Sequence, residues 1–296
     1  MDAGAFRLDV RQVRRASERA ARAGEDAAVL QTEVERRMLD RLDYIRLRPA
    51  RVLDAGCGLG RGLDLLRGRY PQAELIGADF APAVIRKAKG SESLVERARH
   101  LLGGPRRFHL CADFLRLPLR PQCVELVWSN LALPWAQDPV AVLREFHRVL
   151  APGGLLMISS YGPDTLGELK AAFSAASRAR HVHVFADMHD VGDMLLACGF
   201  AEPVMDMERI TLTYPDVAAL ARDLKASGQT CAAHDRRAGL LGREAWQRML
   251  GAYENARRDG KLPATIEVIY GHAWKIEPRA AADGRKIVKW KTKTPS

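Results

Sequence analysis

The chain has 296 residues, 47% hydrophobic and 28% charged. That is enough for one large or two small domains with a full core, and it excludes a wholly disordered or fibrous chain. Lys and Arg exceed Asp and Glu by 10 (46 against 36), which suggests an acidic partner (nucleic acid, anionic lipid or an acidic protein) or a solvated, Arg-rich surface. No apolar stretch approaches the roughly 20 residues that span a bilayer, so no membrane association is expected. The start, MDAGAFRLDVRQVRR, lacks the apolar segment of a secretory signal, and Asp2, Asp9 and Glu18 argue against a transit peptide. The cysteines are Cys57, Cys111, Cys123, Cys198 and Cys231, odd in number and without a CxxC pair. They read as reduced thiols of a cytoplasmic protein, with no metal site.

Residues 5–47 are predicted helical. Leu30, Val34, Met38, Leu42 and Ile45 recur at spacings of four and three, and Pro49 ends the run. A short buried strand at 51–56 runs into glycine. A helix at 61–69, a strand at 73–80 and a helix at 83–88 follow, then a polar connection over 91–105. Strands at 107–113 and 124–130 precede an amphipathic helix at 140–150, which Pro152, Gly153 and Gly154 stop before a fifth strand at 154–162. Strands alternating with helices predict an α/β fold with a largely parallel sheet. Further on, helices are predicted at 164–178, 187–198, 217–226 and 244–258. Asp187 and Asp190 stand at capping-box spacing. Strands are expected at 203–214 and 265–274, a loop at 227–242, and a loose basic tail over 275–296.

The most informative stretch is LDAGCGLG, 53–60, which places Gly56, Gly58 and Gly60 between a strand and a helix. Glycines there let the backbone turn sharply and approach a ligand. The dinucleotide fingerprint would need a glycine where Arg61 stands, and a phosphate loop would need GK[ST]. Asp79, at the end of the second strand, suits a ribose diol. Asp113, with Phe114 beside it, suits an adenine amine and ring. Asn130 ends the fourth strand and joins the candidate cofactor contacts. WSNLALPW, 128–135, can supply the opposite wall.

Over residues 51–162 this set resembles the class I S-adenosylmethionine-dependent methyltransferases. The resemblance implies a Rossmann-like, mostly parallel seven-stranded sheet, here with a helical N-terminal extension (1–48), a core (49–162) and helical inserts forming a substrate lid with the last strands (163–274). It implies S-adenosylmethionine as cofactor, held by Asp54, Gly56, Gly58 and Gly60 at its methionine part, Asp79 at the ribose, and Asp113 with Phe114 at the adenine. Further segments are WSNLALPW, YGPDTLGELK (161–170), FADMHDVGDMLLACGF (185–200), DLKASG (223–228) and LPATIEVIYGHAW (262–274). They resemble the malonyl-acyl-carrier-protein O-methyltransferases of biotin synthesis. Mitochondrial complex I assembly factors associated with arginine hydroxylation look similar in the same segments.

The family reaction implied is methylation of a malonyl thioester's free carboxylate, with the acidic acyl carrier protein as partner and no nucleic acid. A carboxylate with a pKa of about 4 is already ionised at pH 7, so no general base is required. An Arg or Lys is expected to anchor it. The chain departs from the family pattern at Ser17 and Gly24, where an aromatic pair is usual, and at Leu59, where Thr or Pro is commoner and the bulkier Leu is expected to crowd the cofactor carboxylate. Those departures leave a catalytically impaired cofactor-binding scaffold as an alternative, beside the hydroxylase.

Tyr161 and Trp135 are the candidate catalytic residues, Tyr161 because it follows the fifth strand near the transferred methyl. Trp128 can line an acyl pocket or fill the core. His181, His183 and His189 with Asp187 can be read as metal ligands or as one side of an extended loop. Arg178, Arg180, Arg236 and Arg237 are candidates for gripping a phosphopantetheine or malonyl group. KIVKWKTK, 286–293, reads as a solvated tail.

Overall fold

Strands buried on both faces organise the molecule. The computed structural model describes residues 7–91, 96, 102–237 and 239–276. The tail from 277 onward, with KIVKWKTK, and most of the connection at 92–101 lie outside the described residues. The strands are β1 (Arg51–Ala55), β2 (Glu74–Asp79), β3 (Arg107–Cys111), β4 (Val124–Ser129), β5 (Leu150–Tyr161), β6 (Ala201–Tyr214) and β7 (Leu262–Trp274). They form one sheet in the order β3-β2-β1-β4-β5-β7-β6. β3, β2, β1, β4 and β5 run parallel, and β7 lies antiparallel between β5 and β6. The strand order reverses between β1 and β4, the place where open α/β sheets leave a crevice for ligands.

Successive residues of a strand face opposite sides. Val52, Leu126 and Met157 enter one core with Val34, Met38 and Leu42, while Leu53, Val127 and Leu156 enter another with Phe146, Val191 and Leu195. The helices covering these faces are α1 (Val10–Ala23), α2 (Val29–Arg41), α3 (Arg61–Arg69), α4 (Pro82–Gly90), α5 (Pro139–Val149), α6 (Gly167–Ser174), α7 (Met188–Ala197), α8 (Val217–Ala226) and α9 (Arg243–Glu254).

The predicted helical run 5–47 is two helices, because Gly24 takes φ +89 and turns the chain after α1. α2 is pinned across the sheet's antiparallel side: Arg37 pairs with Glu208 and Arg41 with Asp206, each at 2.5 Å. The Arg41 guanidinium also lies 3.7 Å from the centre of the Tyr270 ring. β6 and β7 extend beyond the predicted spans because they pair along nearly their whole length, from Tyr214↔Leu262 to Ala201↔Trp274. α6 is shorter than predicted, since Leu166 donates to the Thr265 carbonyl at 2.6 Å and takes φ +55 before the helix begins. The Asp187 cap is present: its Oδ1 accepts from Asp190 N at 2.7 Å.

Candidate active site

The glycine loop leaves β1 at the sheet's reversal point and enters α3. Gly56 N and Cys57 N donate to Ala78 O, and Gly60 N donates to Cys57 O at 2.8 Å. Gly56 takes φ +88, and a Cβ there would fall 2.4 Å from Ala132 Cβ and 3.3 Å from Phe114 Cζ. Only glycine fits beneath those two walls. Gly58 takes φ +52 in open space, and Gly60, φ +93, is the N-cap of α3.

Asp79 ends β2 under this loop, buried, with Oδ1 accepting from Ala81 N at 2.9 Å. Burial pushes its carboxyl up to about 6, against the pull of the Ala81 and Gly58 N–H groups. Asp54 is also buried. Its Oδ2 accepts no hydrogen bond among the described residues, and burial, then Glu35 and Asp79, raise its pKa.

A pocket of about 180 Å³ lies over the loop, lined by Gly56, Gly58, Leu59 and Asn130, by Ser17 and Gly24 of the N-terminal segment, and by Gln31 and Glu35 of α2. The two positions where the family usually carries aromatics therefore do face this pocket. Leu59 turns aside onto Ala21, Ala81 and Val84. The Asn130 side chain is engaged within the protein: its amide donates to Gln31 O at 2.9 Å and its Oδ1 accepts from Ser159 Oγ at 2.7 Å. It thereby clips α2 to the sheet.

A small pocket beside β3 holds Phe80, Asp113, Phe114 and Trp135 with Val10 and Val13 of α1. Asp113 lies two residues past the end of β3 and not on it. It is exposed, and its Oδ1 accepts from Leu115 N at 3.0 Å.

On the other side of Gln31 and Trp135 opens a cavity of about 470 Å³ beneath α6, α8 and α9. Tyr161 lines it, 2% exposed, with a hydroxyl that has no hydrogen-bond partner among the described residues and a pKa raised by burial. Its ring centre is 5.3 Å from that of Phe185. Trp135 stands edge-on to His183 at 4.9 Å. His183 Nε2 accepts from Ala232 N at 2.7 Å, and burial, then Arg180, pull its pKa down to about 4, so it is neutral. His181 stacks on Phe173 at 4.0 Å, and its Nε2 is buried with no hydrogen-bond partner among the described residues.

The remaining candidates take the following places. Among the described residues, no Arg or Lys lines the cavity. Arg236 pairs with Asp9 at 2.9 Å and Arg180 with Asp235 at 3.2 Å, fastening the 230s loop to its surroundings. Arg237 donates to Leu240 O, and Arg178 is exposed. Trp128 is fully buried in the core, because its β4 position faces α2 and not the cavity. The histidines form no metal-binding group among the described residues: His189 is exposed, and His181 and His183 pack on aromatic rings. Sequence reasoning missed Gln31, which lines both larger pockets, and Glu35. The one signal was an acid beside the apolar positions Val34 and Met38.

Residues 53–158 match the family model described as a methyltransferase domain. The malonyl-[acyl-carrier protein] O-methyltransferase of Gallionella capsiferriformans is 50% identical, covering 96% of this chain and 97% of the relative. The protein of that name from Laribacter hongkongensis is 50% identical over 99% of each chain. The one from Methylovorus sp. is 48% identical, covering 100% of this chain and 99% of the relative. Among solved structures, the YcgJ protein of Bacillus subtilis superposes with a TM-score of 0.57 at 14% identity, covering 83% of this chain and 99% of the other. The [4+2]-cyclase SpnF does so with 0.50 at 19% identity, covering 81% of each. These two likenesses speak for the Rossmann-like methyltransferase fold. These sequence relatives all bear the name of an O-methyltransferase.

Proposed function

The chain belongs to the malonyl-[acyl-carrier protein] O-methyltransferase family, and we propose that it methylates the free carboxylate of malonyl-acyl carrier protein, using S-adenosylmethionine, in the cytoplasm and at the start of biotin's acyl chain. The observation that carries this reading is the junction of the two pockets. A glycine-floored pocket and a 470 Å³ mostly apolar cavity share Ala27, Gln31 and Ser227 as common wall.

The residues fit the cofactor. Gly58, in the lining of this pocket, has nothing within 4 Å of where a Cβ would stand, so the loop leaves room for a ligand there, and Asp54 holds a buried carboxylate oxygen with no hydrogen-bond partner among the described residues. When bound, S-adenosylmethionine supplies an electrophilic methyl carbon on a sulfonium. Asp79 is assigned to the ribose hydroxyls, Phe80, Asp113, Phe114 and Trp135 to the adenine side, and the loop from Gly56 to Gly60 to the methionine end.

The acceptor carboxylate needs no proton removed, so these residues work by alignment and by excluding water. Without a lysine or arginine in the lining, neutral donors hold it: the Tyr161 hydroxyl and the His181 imidazole, both lacking partners among the described residues. A carboxylate held by neutral donors in a dry cavity is more nucleophilic than one locked in an ion pair. α6, α8 and α9 serve as the lid over the acyl group. The net charge of +10 suits an acidic carrier.

The test is incubation with methyl-labelled S-adenosylmethionine and malonyl-acyl carrier protein. Label appearing on the carrier as a base-labile methyl ester is expected. Cofactor binding with no label on the malonyl group would refute the assignment. Rescue of a biotin auxotroph lacking this step is the cellular counterpart.

A further inference from the structure

Glu35 is a charged side chain that the fold buries, 6% exposed, on a helix outside the glycine-loop motif. Burying a carboxylate is costly unless the site returns favourable interactions. Its Oε1 lies 2.5 Å from the point where a Cβ on Gly62 would sit, and Asp54 Oδ2 lies 2.6 Å from the same point. Two carboxylates from distant parts of the chain thus converge on the first turn of α3, and only a glycine leaves them room.

Asp54 Oδ2 is buried and accepts no hydrogen bond among the described residues. Glu35 and Gly62 line the glycine-floored pocket, and the charged side chains among its lining residues are Glu35 and Arg61. α3 starts at Gly60 with no side-chain cap, so its first N–H groups carry partial positive charge at the same end of the pocket. Two converging acids beside this pocket match the ammonium of an α-amino acid, and Arg61 and Gly62 at the start of α3 belong to the same lining.

We propose that Glu35, reaching in from the N-terminal extension, binds the ammonium of the cofactor's amino-acid end. The inference rests on the cofactor reading above. It gives α2 a part in cofactor selection: ligands with an α-amino acid tail are taken, and adenosyl thioethers without one are held weakly.

The test is calorimetry of the full chain and its Glu35→Gln variant with three probes: S-adenosylhomocysteine, its desamino analogue, and 5′-methylthioadenosine. In the native protein S-adenosylhomocysteine should bind about tenfold or more tighter than the desamino analogue, the worth of a hydrogen bond to a charged group. In Glu35→Gln that gap should collapse while 5′-methylthioadenosine binds as before, which also reports that the pocket is folded. Glu35→Asp, which keeps the charge on a shorter arm, should retain part of the gap and serves if the Gln variant does not fold. A gap undiminished in both variants would overturn the proposal, as would equal loss of all three probes. Native protein that binds none of the three would instead overturn the cofactor reading.

Discussion

Replacing Gly56 with alanine separates the geometric demand on the glycine loop from ordinary backbone strain. The native φ of +88 lies where an L side chain costs roughly 1–2 kcal/mol. The new methyl would also lie 2.4 Å from Ala132 Cβ and 3.3 Å from Phe114 Cζ. Ala132 belongs to the backbone-fixed turn after β4 and cannot swing away, so overpacking adds about 1–3 kcal/mol. The total expected is about 2–5 kcal/mol. Gly58→Ala is the control: φ is +52 and nothing lies within 4 Å of its Cβ, so only the first contribution of about 1–2 kcal/mol applies. Urea denaturation of both variants measures the difference. Calorimetry with S-adenosylhomocysteine should show Gly56→Ala binding more weakly, since both displaced walls face the loop. If the two variants lose equal stability, the close approach of Ala132 is not what requires glycine, and the reasoning fails.

Tyr161→Phe removes a buried hydroxyl that has no partner among the described residues. Thermal denaturation should show stability unchanged or raised by about 1 kcal/mol, while label transfer to malonyl carrier protein falls; a matching loss of stability would make the hydroxyl structural. Asp79, raised to about 6, must be ionised for both oxygens to accept from the two ribose hydroxyls, so affinity for S-adenosylhomocysteine should drop as pH falls below about 6, and Asp79→Asn should bind weakly with no such dependence. His183, lowered to about 4 from 6.5, is neutral in the folded protein. Its contribution, up to about 3 kcal/mol, is present above pH 6.5 and lost as pH falls toward 4. A denaturation series in His183→Gln should show a shallower acid slope than the native protein, and identical slopes would refute the shift.

The elements that were legible in the sequence are local ones. Gly56, Gly58 and Gly60 announce a tight turn because three glycines within five residues leave few other uses for the backbone. Asp79 and Asp113 follow short apolar runs, so their places near strand ends could be counted off, although Asp113 lies past the last paired residue of β3. The alternation of strands and helices from Arg51 to Tyr161 predicts the parallel half of the sheet, and Asp187 marks a helix start by its spacing to Asp190.

What only the folded chain decided involves residues far apart. Gly24 breaks the first helical run, an outcome the apolar spacing of Leu30 to Ile45 does not reveal. β7 enters the sheet antiparallel because it zips along β6 from Tyr214 to Ala201, and that partner lies dozens of residues away. Trp128 and Trp135 sit seven residues apart and read alike, yet one fills the core and the other walls two pockets. Glu35 and Asp54 meet over Gly62 only when α2 has docked on the sheet. Backbone preference and periodicity act within a few residues, so the sequence by itself determined the turn, the strand ends and the fold class. Burial and side-chain convergence depend on which surfaces dock, and tertiary packing therefore decided which acids meet over Gly62 and which residues wall the cavity.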